Sequence, residues 1–196
     1  MEDSHPVTTP IENANHLVPV TEDNPFKDPS LYHATIGSLM YAAIGTHPDL
    51  AFAIQKLAQF SHALSDEHWK AVKRVLCYVK GTLDLGITYS GAKDSSLTPQ
   101  GYSDTDWASD CIDWKSILGY VFTLGSGAIA WSSKKQQTVA LSSTEAEYMA
   151  LTCAAQHAIW LRKFFSAAGF PPSGPSLIFL DNRSALDLTY NPEFHN

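Results

Sequence analysis

Apolar positions recur at helical spacing from residue 30 to about residue 86, then shift to short strand-like runs. In "SLYHATIGSLMYAAIG", Leu31, Ile36, Leu39, Met40 and Ala43 fall on or near one helical face. "THPDLAFAIQKLAQFSHAL" continues the period, with Thr46 placed as an N-cap and Pro48 near the first turn, where its missing N–H costs little. In "SDEHWKAVKRVLCYVKGTLDLG", Ser65 can cap and two acids favour the first turn. Trp69, Val72, Leu76 and Val79 line one side, and Gly81 lies just past the end. Three short helices are predicted. Residues 1 to about 30 mix prolines and acids without a period, which predicts an extended, mobile lead-in.

Beyond residue 86, "GITYSG", "QGYSDTDW", "SILGYVFTLG" and "AIAWSSK" are β-branched or aromatic runs separated by turn residues. A long helical run follows, "STEAEYMALTCAAQHAIWLRKFFSAAG", closed by Gly169 and two prolines. Then "SLIFLD" is a compact apolar strand leading directly into a helix start, "NRSALDLTY". An antiparallel meander followed by a crossover into a further strand makes an α/β layout.

Composition narrows the classes. With 196 residues the chain can form one full domain and a smaller companion. No window approaches the ~18 apolar residues of a membrane span. The polar, acidic start "MEDSHPVTTP" does not read as a secretory signal. The expected location is therefore intracellular, cytoplasmic or nuclear, without a membrane. Cys77, Cys111 and Cys153 have no metal or CxxC spacing and read as free thiols. A net charge of −7 argues against general nucleic-acid binding, so any such role needs a local basic patch or metal ions. Lys70, Lys73, Arg74 and Lys80 on the third helix, and Lys134 and Lys135 after a strand, form either solvated basic faces or a phosphate track. Trp107, Trp131 and Trp160 read as packing residues, with base stacking as the alternative, and the eight histidines have no ligand spacing.

Three carboxylates fall at element ends. Asp104 ends the first strand of the meander, and Asp181 ends "SLIFLD". Glu147 begins a stripe that continues through Leu151, Ala154, Ala158, Leu161 and Phe165, so it points at the sheet. An inward carboxylate needs a cation or donors. Three mutually repelling carboxylates are most simply held by a divalent metal, and oxygen-only donors suit Mg²⁺ or Mn²⁺. Each residue also has a plainer reading. Asp104 and Asp106 can be turn residues, Asp181 a helix N-cap, and Glu147 the end of a Thr144-x-x-Glu147 capping box, against which Ser142-x-x-Glu145 competes. Asp106 and Asp110 are expected to be turn and surface residues.

The stretch "GYSDTDWASD…KSILGYVFTLGSGAIAWSSKKQQTVALSSTEAEYMAL…IWLRKFF…LDNRSAL" resembles the ribonuclease H domain in the Pol polyprotein of copia-type LTR retrotransposons. The upstream "LYHATIGSLMYAAIGTHPDLAFAIQKLAQF…HWKAVKRVLCYVKGTLDLGITYS" looks like the segment that links reverse transcriptase to that domain. The resemblance implies a ribonuclease H-like mixed sheet with flanking helices over residues 97–196, preceded by a helical connection segment over 31–90 and the lead-in over 1–30. It carries the catalytic and metal-ligand roles to Asp104, Glu147 and Asp181, with two Mg²⁺ or Mn²⁺ ions and an RNA–DNA hybrid as substrate. Lys134, Lys135, Ser142, Ser143 and Thr144 become the expected substrate contacts, and the polymerase portion of the polyprotein the expected partner.

Departures accompany the resemblance. The family's fourth acid belongs to a "KHID"-type motif beyond the second helix, whereas this chain stops at "NPEFHN". The last strand and fourth ligand are thus expected to be missing, and Asp187 is a weak substitute. The polymerase's paired-aspartate motif is absent from the sequence, which implies no polymerase activity. "THPD" stands where the family has "TRPD", and Trp114 where a basic residue is common. Two readings follow: a hydrolase impaired by truncation, or a non-catalytic transposon remnant that at most binds nucleic acid or protein.

Overall fold

A computed structural model describes residues 4–12, 14, 17–19, 26–89 and 98–190. The chain divides into two compact units, residues 1–86 and 87–196.

The first unit is helical. Helix α1 (Pro29–Gly45) starts where Asp28 accepts the Leu31 N–H at 3.0 Å, with proline in its first turn. A 3₁₀ turn (Pro48–Leu50) leads directly into α2 (Ala51–Ala58). Thr46, expected to cap this second helix, instead closes the first, its N–H donating to the Ala42 carbonyl. The α1 core face also differs from expectation. It is Tyr32, Ile36, Leu39 and Ala43, while Leu31 and Met40 are exposed. The tyrosine accounts for the shift: its ring is buried and its hydroxyl donates to the Leu57 carbonyl at 2.9 Å. Helix α3 (Asp66–Gly81) opens with a capping box in which Ser65 Oγ accepts the His68 N–H and His68 Nδ1 accepts the Ser65 N–H at 3.0 Å. The His68 ring stacks on Phe60 with centroids 4.3 Å apart.

The described part of the lead-in packs rather than floats. Ile11, Leu17 and Phe26 lie against the helical core, Arg74 binds Thr9 and Glu12, and Lys80 donates to the Ser4 carbonyl. Two of the four cations on the basic face of α3 are therefore occupied within the unit.

The second unit is a mixed sheet with helices. Strands β1 (Gln100–Asp106), β2 (Ile117–Leu124) and β3 (Gly127–Lys135) form the antiparallel meander. Helix α4 (Ser143–Ala167) crosses over to the short β4 (Ile178–Phe179), which pairs parallel with β1, and α5 (Arg183–Tyr190) follows. The sheet order is β3-β2-β1-β4. Of "GITYSG", residues 86–89 form no strand, and the rest lies outside the described residues. Tyr89 nonetheless donates to the Ala128 carbonyl at 2.6 Å, and its ring lies so close to Gly127 that a Cβ there would come within 2.4 Å of it. Small residues also let α4 approach the sheet: Ala146, Ala150, Ala154 and Ala158 are all buried, and Phe122 fills the space beneath.

Cys77, Cys111 and Cys153 are free thiols, as the spacing implied. Among the described residues no helix is long and apolar enough to cross a membrane.

Candidate metal centre

Topology brings the three carboxylates together. β3 runs antiparallel to β2 and β2 to β1, so β1, β3 and β4 all point the same way. The chain leaves β3 at the edge where β1 and β4 end, and α4 therefore begins there. Asp104 is near the end of β1, Asp181 is just past β4, and Glu147 occupies the second turn of α4. One carboxylate oxygen from each lies within 4.8 Å of the other two.

The plainer readings are taken by other residues. Ser142 caps α4 by accepting the Glu145 N–H at 3.1 Å, while Glu145 Oε2 accepts the Leu141 N–H at 2.7 Å. Glu147 is thereby left out of the cap. At the start of α5, Asn182 Oδ1 accepts the Ala185 N–H at 2.9 Å, so the capping acceptor there is not Asp181.

Glu147 is 6% exposed, and its Oε2 is buried without a hydrogen-bond partner. Burial pushes its pKa up to about 7, Asp104 and Asp181 push in the same direction, and the Thr105 backbone N–H opposes them in part. An unpaired buried carboxylate oxygen facing two more carboxylates is costly in itself. The cluster contains only hard oxygen donors, the set that suits an alkaline-earth-type divalent cation rather than zinc.

Several contacts fix the cluster. Asp104 Oδ1 accepts the Thr105 N–H at 2.8 Å. Trp107 Nε1 donates to the Ala140 carbonyl at 3.2 Å, tying the end of β1 to the loop before α4. Buried Gln136 donates to the Ala146 carbonyl at 3.0 Å, beside Glu147.

Other site candidates separate into two groups. Ser142 is the cap, Ser143 is exposed and Thr144 is half-buried, all at the N-terminus of α4. Lys134 is exposed and forms no ion pair among the described residues. Lys135 is held by Asp110 and Asp113, each 2.9 Å from its ammonium. Asp110, expected at the surface, is 0% exposed and also accepts the Ile112 N–H. This triad pins the β1–β2 connection to the end of β3, where Ile117 and Lys135 pair in register. Sequence reasoning missed it, although an aspartate-rich loop opposite a strand-end lysine was the available signal. Asp187 lies exposed on α5, outside the cluster.

The chain is 41% identical over 191 residues to a retrovirus-related Pol polyprotein from transposon RE2 of Arabidopsis thaliana, matching 97% of this chain and 13% of that protein. It is 40% identical over 204 residues to the corresponding polyprotein from transposon TNT 1-94 of Nicotiana tabacum, matching 100% of this chain and 15% of that protein. It is also 48% identical over 130 residues to secreted RxLR effector protein 161 of Plasmopara viticola, matching 66% of this chain and 90% of that protein. The chain thus spans 13–15% of the length of the polyproteins it matches. No protein-family profile and no solved structure matches it.

Proposed function

Because the chain belongs to the Pol polyprotein family of copia-type retrotransposons, we propose that its second unit is a ribonuclease H-type module that hydrolyses the RNA strand of RNA–DNA hybrids. The observation that carries this reading is the cluster of Asp104, Glu147 and Asp181, drawn from three elements to within 4.8 Å, with a buried, unpartnered oxygen on Glu147.

These three carboxylates would hold Mg²⁺ or Mn²⁺, and the orphaned Glu147 Oε2 fits such an ion. When bound, the metal supplies Lewis acidity that activates water and offsets charge at the scissile phosphate. The chain's own groups prepare for it. Thr105 holds the Asp104 carboxylate in one orientation through its N–H. Glu147 must give up its proton to serve as a ligand, and a pKa of about 7 puts that step at neutral pH. The N-terminus of α4, with Ser143 and Thr144, offers hydroxyls and backbone N–H groups of the kind that bind phosphate. Lys134 adds a cation on the neighbouring strand, whereas Lys135 is neutralised by Asp110 and Asp113 and holds the scaffold instead. In the intact element the polymerase portion of the same polyprotein is the natural partner.

A labelled RNA–DNA hybrid incubated with the chain and Mg²⁺ or Mn²⁺ should give shortened RNA. Asp104→Asn should slow that reaction at least about a hundredfold, the usual cost of removing a charge-stabilising catalytic group. Equal cleavage by the variant would overturn the site assignment. No cleavage by a folded wild-type chain would favour the remnant reading, in which the unit at most binds nucleic acid or protein.

A further inference from the structure

Trp160 does not pack as the sequence suggested: it is 55% exposed. It lines a groove of about 360 Å³ together with Leu118, Tyr120, Ser132, Lys134 and His157. A ladder of rings runs along it. Tyr120 and His157 have centroids 5.0 Å apart, His157 and Trp160 5.4 Å, and Trp160 and Phe164 5.4 Å at an interplanar angle of 14°.

Charge is sorted in the same place. From residue 148 to residue 167, α4 carries Arg162 and Lys163 but no carboxylate, and β2 and β3 carry Lys134 and Lys135 but none. Arg162 turns away to the Gly174 carbonyl and Ser176, and Lys135 is ion-paired, which leaves Lys134 as the cation lining the groove. In a chain of net charge −7, a groove that is aromatic, cationic and free of acids selects an anionic ligand with a flat π-surface.

We propose that this groove binds single-stranded nucleic acid, with a base stacked on the Trp160 ladder and a phosphate on Lys134. Its volume falls at the small end of the range for ligand sites, enough for about one nucleotide. Lys134 is in register with Leu118 of β2, and Leu118 with Thr105 of β1, the neighbour of Asp104. Strand spacing therefore puts β3 about 10 Å from β1. A strand leaving the acidic cluster reaches the groove within one or two nucleotides. The groove's case rests on its own geometry and does not require cleavage at the cluster.

The test uses the full chain in EDTA, with fluorescein-labelled ten-nucleotide oligo-dT and oligo-rU, anisotropy read over a range of salt, and UMP as competitor. Trp160→Ala should weaken binding about tenfold, the scale of one stacked base. Lys134→Gln should flatten the log–log salt dependence by about 0.7, one single-strand phosphate. Trp160→Phe should keep most of the affinity. Competition by UMP would place a mononucleotide in the groove, and its failure would require the continuous strand; either result supports the site when Trp160→Ala weakens oligonucleotide binding as expected. Unchanged oligonucleotide binding in a folded Trp160→Ala chain overturns the proposal. Reduced self-association in sedimentation by that same variant would then give the face to protein contact. Groove binding without hybrid cleavage in the wild type would sink the nuclease reading and leave this one standing.

Discussion

His68 and Glu147 are both buried, titratable and placed in the first turns of long helices, yet the fold treats them in opposite ways. His68 closes the capping box of α3, lies against Phe60 and has its pKa lowered by burial, so the unit keeps it neutral and uses it as structure. Glu147 is displaced from the cap of α4 by Glu145, keeps an oxygen without a partner, and faces two more carboxylates. The difference separates a buried polar group that completes a fold from one that waits for a ligand. Burial alone cannot tell them apart, and neither can a count of partners, since His68 Nε2 and Glu147 Oε2 both lack one; the neighbours can, an aromatic ring beside His68 and two carboxylates beside Glu147.

Asp110 tests the contrast from a third side, because it is a buried carboxylate of the second unit that does have its cation. Lys135→Ala would remove the ammonium that holds it at 2.9 Å, and breaking a buried pair from one side costs about 3–5 kcal/mol. Thermal unfolding should show that loss, and a change below ~1 kcal/mol would mean that Asp110 is not held as described. Glu147→Gln should act in the other direction. Moving a carboxyl from 4.5 to about 7 costs the metal-free fold at most ~3 kcal/mol at alkaline pH, less as salt screens the exposed aspartates. The variant should therefore melt higher than wild type at pH 8 without metal while losing hybrid cleavage. A lower melting temperature would show that Glu147 is a structural residue after all, and the comparison with His68 would collapse.

How much of this was readable beforehand depended on the range of the interaction. Local periodicity marked α1 to α4, and the apolar stripe that begins at Glu147 pointed it at the sheet before any strand had been placed. Strand ends located Asp104 and Asp181, because parallel strands share the edge where loops and helix starts gather. What escaped were the exchanges between distant residues. Thr46 looked like a cap for the helix after it, but the 3₁₀ turn at Pro48 intervened. Tyr32 took a core position at α1 because Leu57, 25 residues on, could accept its hydroxyl. Lys135 looked available to a phosphate because its partners, Asp110 and Asp113, sit far upstream in a loop that only the closing of the meander brings to the end of β3. Trp160 looked like core because a tryptophan in an apolar run usually is, yet it lies on the exposed side of α4 and packs on His157 and Phe164 instead.

The smallest effect is also the cleanest comparison, since one variable, pH, acts on both groups. The folded pKa of His68 lies below its unfolded value of about 6.5, so the stability it supports is complete above that value and is lost as pH falls through the lowered folded pKa. The folded pKa of Glu147 lies above its unfolded value, so its contribution is complete below about 4.5 and is lost as pH rises through about 7. Between pH 5 and 8, without metal, α3 should become better protected as pH rises and α4 less so. Hydrogen exchange by mass spectrometry resolves the two helices in one full-length sample, once intrinsic exchange rates are divided out. Added Mg²⁺ should cancel the trend at α4, because a cation makes the ionised Glu147 the favoured form, and should leave α3 untouched. If both helices shifted in the same direction, the two groups would be responding to the net charge of the chain rather than to their own surroundings, and Glu147 would lose its standing as a carboxylate held ready for a metal.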